Sequence, residues 1–175
     1  HLGPEEILVA AKLEMAPGDL EKIAAGIDAV EARVRAAEES AQKTAAQAGL
    51  NPPLVLGVTV LTSSDANTLA EIGCEPNPGR QVERLAKLAV NAGLRGLVCS
   101  PLEIALLRQT LPISVQLVTP GIRTGAEKAD DQKRTLSPRE AMDAGASWLV
   151  IGRPITAAPN PREAAEKILM SLKQP

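Results

Sequence analysis

Residues 118–123 are VTPGIR and residues 150–155 are VIGRPI, and each segment follows a short apolar run. Both segments are typical of the loop after a β-strand, where glycine and arginine are brought to the strand end. Glycine lets a ligand approach the backbone N–H groups, and arginine adds a planar fork of donors that matches a phosphate group. The two loops therefore predict a phosphate site in a barrel-like α/β protein.

Four short apolar runs, each followed by a stretch of helical periodicity, predict successive strand–helix units. The runs are residues 54–61, 96–99, 114–118 and 148–151. Because these runs are apolar at consecutive positions, they favour parallel strands covered on both faces. A fifth strand is predicted at residues 7–11, and the alanine-rich residues 20–48 predict one or two helices.

Helix starts are marked by a capping side chain, a proline at the first helical position and then a glutamate. This pattern occurs at Ser100, Ser137 and Asn160. Two further helices are predicted at residues 65–72 and 80–92, the second ending before Gly93. Alternating strands and helices indicate a single α/β domain over residues 1–175.

Composition narrows the class of protein. The chain has 175 residues, a net charge of −2, no tyrosine or phenylalanine and one tryptophan, so we expect no nucleic-acid partner. The longest apolar run is far shorter than the roughly 18 residues that span a bilayer, which predicts no membrane partner and a cytoplasmic location. Cys74 and Cys99 lack metal-ligand spacing, and His1 is the only histidine, so no metal or other cofactor is expected.

Four ordered segments resemble the C-terminal half of the orotidine 5'-monophosphate decarboxylase family. They are GVTVLTS at residues 57–63, GLRGLVCS at 93–100, TPGIR at 119–123 and GASWLVIGRPI at 145–155. The resemblance covers about residues 51–172 and implies a TIM-barrel-like (β/α) fold and a homodimer that acts in pyrimidine biosynthesis. The chain is short for such a barrel, so we expect about five parallel strands with covering helices and a shortened N-terminal half.

The resemblance also implies a phosphate site. Arg153 and Gly152 match the family's phosphate-binding loop after the last strand, and Gly121 belongs to the loop before it. Gln132 matches a glutamine that binds the phosphate from a loop that closes over the ligand. Two alternatives stay open: Arg153 as a surface arginine paired with a carboxylate, and residues 124–131 as an ordinary surface loop.

Two further positions match the family's contacts with the pyrimidine base. Thr62, at the end of the second predicted strand, matches a hydroxyl that binds the pyrimidine amide, and Pro120 forms part of the ligand wall. The alternative for this region is a helix cap, for which Ser63, Ser64 and Asp65 are equally suitable. The expected ligand is phosphate or a nucleotide similar to uridine or orotidine monophosphate.

The catalytic pattern of the family is not found in the sequence. Decarboxylation in the family depends on a D-x-K-x-x-D motif and a further lysine, and the nearest match has Leu136 in place of the second aspartate. Where the family has an aspartate after the first strand, this chain has Lys12. We therefore assign no catalytic residue and expect a phosphate-binding protein without decarboxylase activity.

Three alternatives remain. The chain is an active decarboxylase if a missing segment is supplied from elsewhere, or it is a structural half-barrel module that oligomerises through its open sheet edges. A sister family such as hexulose phosphate synthase shares the phosphate loops but requires metal-binding carboxylates at the early strands.

Overall fold

A computed structural model describes residues 20–124 and 135–173 of the chain. Its strands form one parallel sheet in the order β1-β2-β3-β4. The strands are β1 (Leu56–Val58), β2 (Gly96–Val98), β3 (Gln116–Thr119) and β4 (Trp148–Leu149). The helices are α1 (Leu20–Gln47), α2 (Ala66–Glu71), α3 (Pro78–Asn91), α4 (Ile104–Thr110), α5 (Pro138–Asp143), α6 (Arg153–Thr156) and α7 (Pro161–Lys173), and a 3-10 turn spans Pro101–Glu103.

The α/β class and the parallel sheet are confirmed. Each of the four predicted runs overlaps a strand, although the strands are shorter than the apolar runs and β3 ends one residue beyond its run. The predicted fifth strand at residues 7–11 lies outside the described residues, so the sheet described has four strands. The long N-terminal helical pattern is one helix, α1, which continues through Gly26.

The core lies on one face of the sheet, which we call the covered face. The strand register aligns Gly57 with Leu97 and Leu97 with Leu117, and both leucines are fully buried. A Cβ atom at position 57 would lie 2.8 Å from Leu94 Cδ1, so glycine is what allows the chain before β2 to approach β1. The largest fully buried aliphatic side chains are Val82, Leu97, Ile104, Leu107, Leu117 and Ile122.

The expectation that every strand is covered on both faces is wrong for β1 and β4. Val58 is 59% exposed and Trp148 is 60% exposed. Within the described part of the chain, β1 and β4 are the two edges of the sheet, and the core residues lie on the opposite face. An apolar run indicates that both faces of a strand can be buried. It does not show that a layer of helices or strands packs against each face.

Two of the three predicted helix caps form as expected. The Ser137 hydroxyl accepts the Glu140 N–H at 3.3 Å, and the Glu140 carboxylate accepts the Ser137 N–H at 2.9 Å. The hydrogen bonds that Glu140 makes with the Ser137 side chain and backbone lower the pKa of its carboxyl group. Asn160 accepts the Glu163 N–H at 3.2 Å at the start of α7.

Arg108 on α4 ties the chain segments that enter β3 and β4. Its guanidinium donates to the Val115 carbonyl at 2.8 Å, the Gly145 carbonyl at 2.8 Å and the Ser147 hydroxyl at 2.9 Å. The same hydroxyl accepts the Leu117 N–H at 3.0 Å. One side chain therefore fixes the position of two neighbouring strands relative to a helix.

We predict that Arg108→Met lowers the free energy of unfolding by about 3 kcal/mol, because three charge-assisted hydrogen bonds to half-buried acceptors are lost. Urea unfolding followed by circular dichroism measures the change. The matched control is Arg162→Met, since Arg162 is an exposed α7 residue paired with Glu166 at 2.9 Å. This control should cost less than about 0.5 kcal/mol. Equal losses in the two variants would contradict the role given to Arg108.

Candidate phosphate site

All four strands end at the same edge of the sheet because they are parallel. Ligands of parallel α/β proteins bind at this carboxyl edge, where the loops after the strands meet. The chain places two arginines there, Arg123 after β3 and Arg153 after β4. Because an arginine side chain matches the geometry of a phosphate group, this edge is the candidate anion site.

The loop after β3 turns sharply at Gly121, whose φ is +82°. Pro120 before it is half-buried, and Gly121 itself is buried. The chain then forms a bridge between Ile122 and Leu136, and the Arg123 N–H donates to the Leu136 carbonyl at 2.9 Å. These bonds hold together the two ends of the segment that contains Gln132, a predicted phosphate ligand that lies outside the described residues.

The loop after β4 is attached directly to β3. The Val150 N–H donates to the Thr119 carbonyl at 2.9 Å, which continues the ladder beyond the last strand residue. Gly152 is exposed, and its carbonyl accepts the N–H groups of Ile155 and Thr156 at 2.9 and 3.0 Å. Arg153 is exposed and is the first residue of α6. The short α6 helix thus presents Gly152 and Arg153 at the carboxyl edge.

The predicted phosphate residues Gly121, Gly152 and Arg153 follow neighbouring strands, so the fold brings them to one corner of the sheet. Thr62 follows β1 at the opposite side, about 14 Å away along the sheet at the usual spacing of strands. Pro120 stands between them at the end of β3. The phosphate and base positions thus occupy different parts of one edge.

The structure also decides between the candidate caps near Thr62. Asp65 caps α2, since its carboxylate accepts the Thr68 N–H and hydroxyl, each at 3.0 Å. Thr62 is half-buried in a turn closed by the Ser64 N–H and the Leu61 carbonyl at 3.0 Å. Thr62 has no part in capping α2, and its contact with a base stays a prediction.

The segment after β2 differs from its sequence-based prediction. Ser100 makes no side-chain cap to the backbone, and Pro101–Glu103 is a 3-10 turn. The Ser100 hydroxyl instead donates to the Glu103 carboxylate, and both residues are buried. This buried pair was missed because the sequence pattern of a capping box is identical. As a result, the Glu103 carboxylate, which is the only carboxylate in residues 99–103, is hydrogen-bonded within the protein.

Two other features near this edge are not parts of the site. Thr119 Oγ1 is buried without a hydrogen-bond partner among the described residues, but the register aligns Thr119 with Leu149 and places it on the covered face. A cavity of about 630 Å³ lies between α5 and α7, lined by Thr124 and by residues of the two helices. Of the predicted ligand residues that the structure describes, none lines this cavity.

The described residues offer no site for a metal. Within residues 20–124 and 135–173, no group of three or more histidine, cysteine, aspartate or glutamate side chains is close enough to hold an ion. Nor does any helix in this part of the chain have the length and apolar character needed to cross a membrane.

The sequence matches the Orotidine 5'-phosphate decarboxylase / HUMPS family over residues 10–168. The chain belongs to this family. Relatives named orotidine 5'-phosphate decarboxylase include one from Opitutus terrae, 61% identical over 120 residues that make up 69% of this chain and 52% of the relative. Another, from Psychromonas ingrahamii, is 48% identical over 134 residues, which make up 77% of this chain and 57% of the relative. The chain spans about half the length of these relatives.

Similarity to solved structures confirms the TIM-barrel-like fold. The enzyme from Lactobacillus acidophilus superimposes with a TM-score of 0.64 and 34% identity, over 81% of this chain and 58% of that structure. An uncharacterized conserved protein from Geobacillus kaustophilus superimposes with a TM-score of 0.56 and 28% identity, over 71% and 51%. The family resemblance seen in the sequence is confirmed.

We predict that Gly121→Ala lowers the free energy of unfolding by about 1–2 kcal/mol, because a Cβ atom is disfavoured at positive φ. Gly79→Ala is the control: its φ is not positive, and a Cβ there would have its nearest neighbour at an ordinary 3.6 Å. The control should be neutral or slightly stabilising. Thermal and urea unfolding measure both. A neutral Gly121→Ala would mean that the loop does not need this turn.

Proposed function

We propose that this chain binds the phosphate group of a pyrimidine nucleotide, or inorganic phosphate, at the corner between the loops after β3 and β4. The proposal rests on one observation above all: Gly121, Gly152 and Arg153 follow adjacent parallel strands that are joined by the bond from the Val150 N–H to the Thr119 carbonyl. Membership of the orotidine 5'-phosphate decarboxylase family supports the same ligand class.

The chemistry of the corner suits a dianion. The Arg153 guanidinium supplies two parallel donors to phosphate oxygens, and such charge-assisted bonds are about twice as strong as neutral ones. Gly121 and Gly152 let the ligand approach the main chain without a Cβ in the way. Gln132 would add a neutral donor.

The base end of the ligand is proposed to lie nearer β1. The Thr62 hydroxyl would exchange a hydrogen bond with the pyrimidine amide, while the Pro120 ring would pack against the base or ribose. Uridine monophosphate would therefore bind more tightly than inorganic phosphate, since it uses both parts of the edge.

We further propose that the chain by itself does not decarboxylate orotidine monophosphate. Protonation of the carbanion needs a lysine close to paired carboxylates. The segments that follow the four strands, residues 59–65, 99–103, 120–124 and 150–153, contain no lysine. Both of their carboxylates are engaged, since Asp65 caps α2 and Glu103 is bound to Ser100. We therefore propose binding without turnover, within pyrimidine nucleotide metabolism and in the cytoplasm.

A second candidate is an active decarboxylase that is completed by further residues. The 61% identity to the Opitutus terrae relative over the shared half favours it, since this half has kept the relatives' sequence closely. On this account the phosphate corner is the same, and the lysine and aspartates come from the half that this chain does not match.

Calorimetric titration tests the phosphate corner, with inorganic phosphate and uridine monophosphate as the two ligands. We predict that Arg153→Ala weakens both ligands by about 10- to 100-fold, the loss expected for one charge-assisted contact. Thr62→Ala should weaken uridine monophosphate but not phosphate.

The control is Arg162→Ala, which removes an exposed arginine on α7 and should leave both affinities unchanged. Equal affinity of the wild type and Arg153→Ala for both ligands would remove the proposed site. Loss of uridine monophosphate binding alone would mean that Arg153 contacts some part of the nucleotide other than its phosphate.

A further inference from the structure

Ser100 and Glu103, which we call the buried pair, lie directly after β2 and have no part in the proposed phosphate corner. The Ser100 side chain is fully buried and donates to the Glu103 carboxylate, which is 5% exposed. Removal of a carboxylate from water is unfavourable unless other groups compensate for the lost hydration. A buried carboxylate at the carboxyl edge therefore indicates a role beyond the start of a helix.

A second serine and glutamate with the same spacing show that the sequence pattern does not require this burial. Ser137 and Glu140 form a capping box at the start of α5, where Ser137 is half-buried and Glu140 is exposed. Ser100 makes no such cap. The two pairs differ in their place in the fold, because Ser100 follows a strand directly and Ser137 is far along the chain from the preceding strand.

The turn that the buried pair closes begins from a fixed point of the sheet. The carbonyl of Val98, the last residue of β2, accepts the Thr59 N–H at 3.2 Å and the Thr59 hydroxyl at 2.9 Å, which ties it to the end of β1. On the other side, the Cys99 N–H donates to the Val118 carbonyl of β3 at 3.2 Å. The buried pair extends this fixed arrangement into the turn.

The turn exposes one side chain. Among residues 99–103, Leu102 alone is exposed, at 55%. Its neighbours along the chain, Pro101 and Glu103, are both buried. The backbone of Leu102 is therefore held on both sides, and a large apolar side chain is presented to solvent at the carboxyl edge.

This turn lies along the path of the proposed ligand. β2 stands between β1, which is followed by Thr62, and β3, which is followed by Pro120. Neighbouring strands are about 4.8 Å apart, so a nucleotide that reaches from the phosphate corner to Thr62 must pass over the end of β2. The base is the part of the ligand nearest to Leu102, since Thr62 follows the adjacent strand.

The carboxyl edge changes in character from one side to the other. Arg123 and Arg153 follow β3 and β4, whereas Leu61 and Leu102, 61% and 55% exposed, follow β1 and β2. Arginine suits a phosphate group, and an aliphatic side chain suits the face of a base, whose binding removes apolar surface from water. The order of these groups along the edge matches a nucleotide with its base over β1 and β2.

We propose that Ser100 and Glu103 are positioning residues of the nucleotide site, and that their hydrogen bond fixes the turn so that Leu102 packs against the base. This role presupposes the nucleotide site proposed above, and it concerns the base rather than the phosphate. Without the buried pair the phosphate corner would remain, but binding of the base would have to order the turn again, which costs affinity.

Calorimetric titration with uridine monophosphate and with inorganic phosphate tests this role. The deciding quantity is the ratio of the two affinities, because damage to the phosphate corner would weaken both ligands. We predict that Ser100→Ala and Glu103→Ala each lower this ratio about fivefold or more, through weaker binding of uridine monophosphate. Glu103→Gln keeps an acceptor for the Ser100 hydroxyl and should restore most of the ratio.

Leu102→Ala tests the proposal without disturbing the buried pair, since the Leu102 side chain is exposed. It should weaken uridine monophosphate about fivefold and leave phosphate unchanged, because apolar contact with the base is lost. Ile113→Ala is its control, at an aliphatic position before β3 that is 81% exposed. Ser137→Ala is the control for Ser100→Ala, because it breaks the capping box of α5. Both controls should keep the wild-type ratio.

The outcomes separate this role from the nucleotide site itself. Unchanged ratios in the variants of Ser100, Glu103 and Leu102 would overturn the role and leave the phosphate corner in place. Equal weakening of both ligands, or a lowered ratio in Leu102→Ala alone, would also overturn the positioning role. If the alanine variants of the buried pair do not fold, the ratio in Leu102→Ala decides. A wild type that binds neither ligand would overturn the nucleotide site and this role with it.

Discussion

The parallel register between β3 and β4 is the constraint on which the rest of the structure depends. It aligns Val118 with Trp148 and Thr119 with Leu149, and the Val150 N–H extends the ladder by one more bond. The strands are short, so the register is held from outside the ladder: Arg108 binds both entering segments, and Leu117 is fully buried against the helices. The proposed phosphate corner depends on these two strands ending side by side.

The sequence predicted most of this arrangement because the relevant signals are local. Apolar runs located the four strands, and cap residues located helix starts within two or three positions. The exposure of Val58 and Trp148 was not predictable in the same way. Exposure of one face of a sheet depends on whether other parts of the protein pack against it, which the strand's own residues do not specify. The prediction of a helix cap at Ser100 was also wrong, because a capping box and a buried hydrogen bond between Ser100 and Glu103 arise from the same sequence pattern.

The site was predictable in part. Glycine and arginine after an apolar run identify a strand-end loop, and the parallel fold brings Gly121 and Gly152 to adjacent strand ends. The proposed contact of Arg153 with a phosphate group was not specified by these local signals, and Gln132 lies outside the described residues. The role of Thr62 was also not specified by the sequence. Asp65, and not Thr62, caps α2, but the absence of a capping role does not by itself show that Thr62 contacts a base.

The chain combines close identity to its relatives over the shared half with a sequence in which the catalytic motif is not found, and on this basis we propose that it binds without catalysing the reaction. Release of carbon dioxide from carboxyl-labelled orotidine monophosphate, by homogeneous protein whose mass matches this sequence, tests this proposal most directly. The account predicts release at the rate of a protein-free blank while calorimetry detects bound nucleotide. Catalytic turnover that depends on the amount of this chain would contradict it.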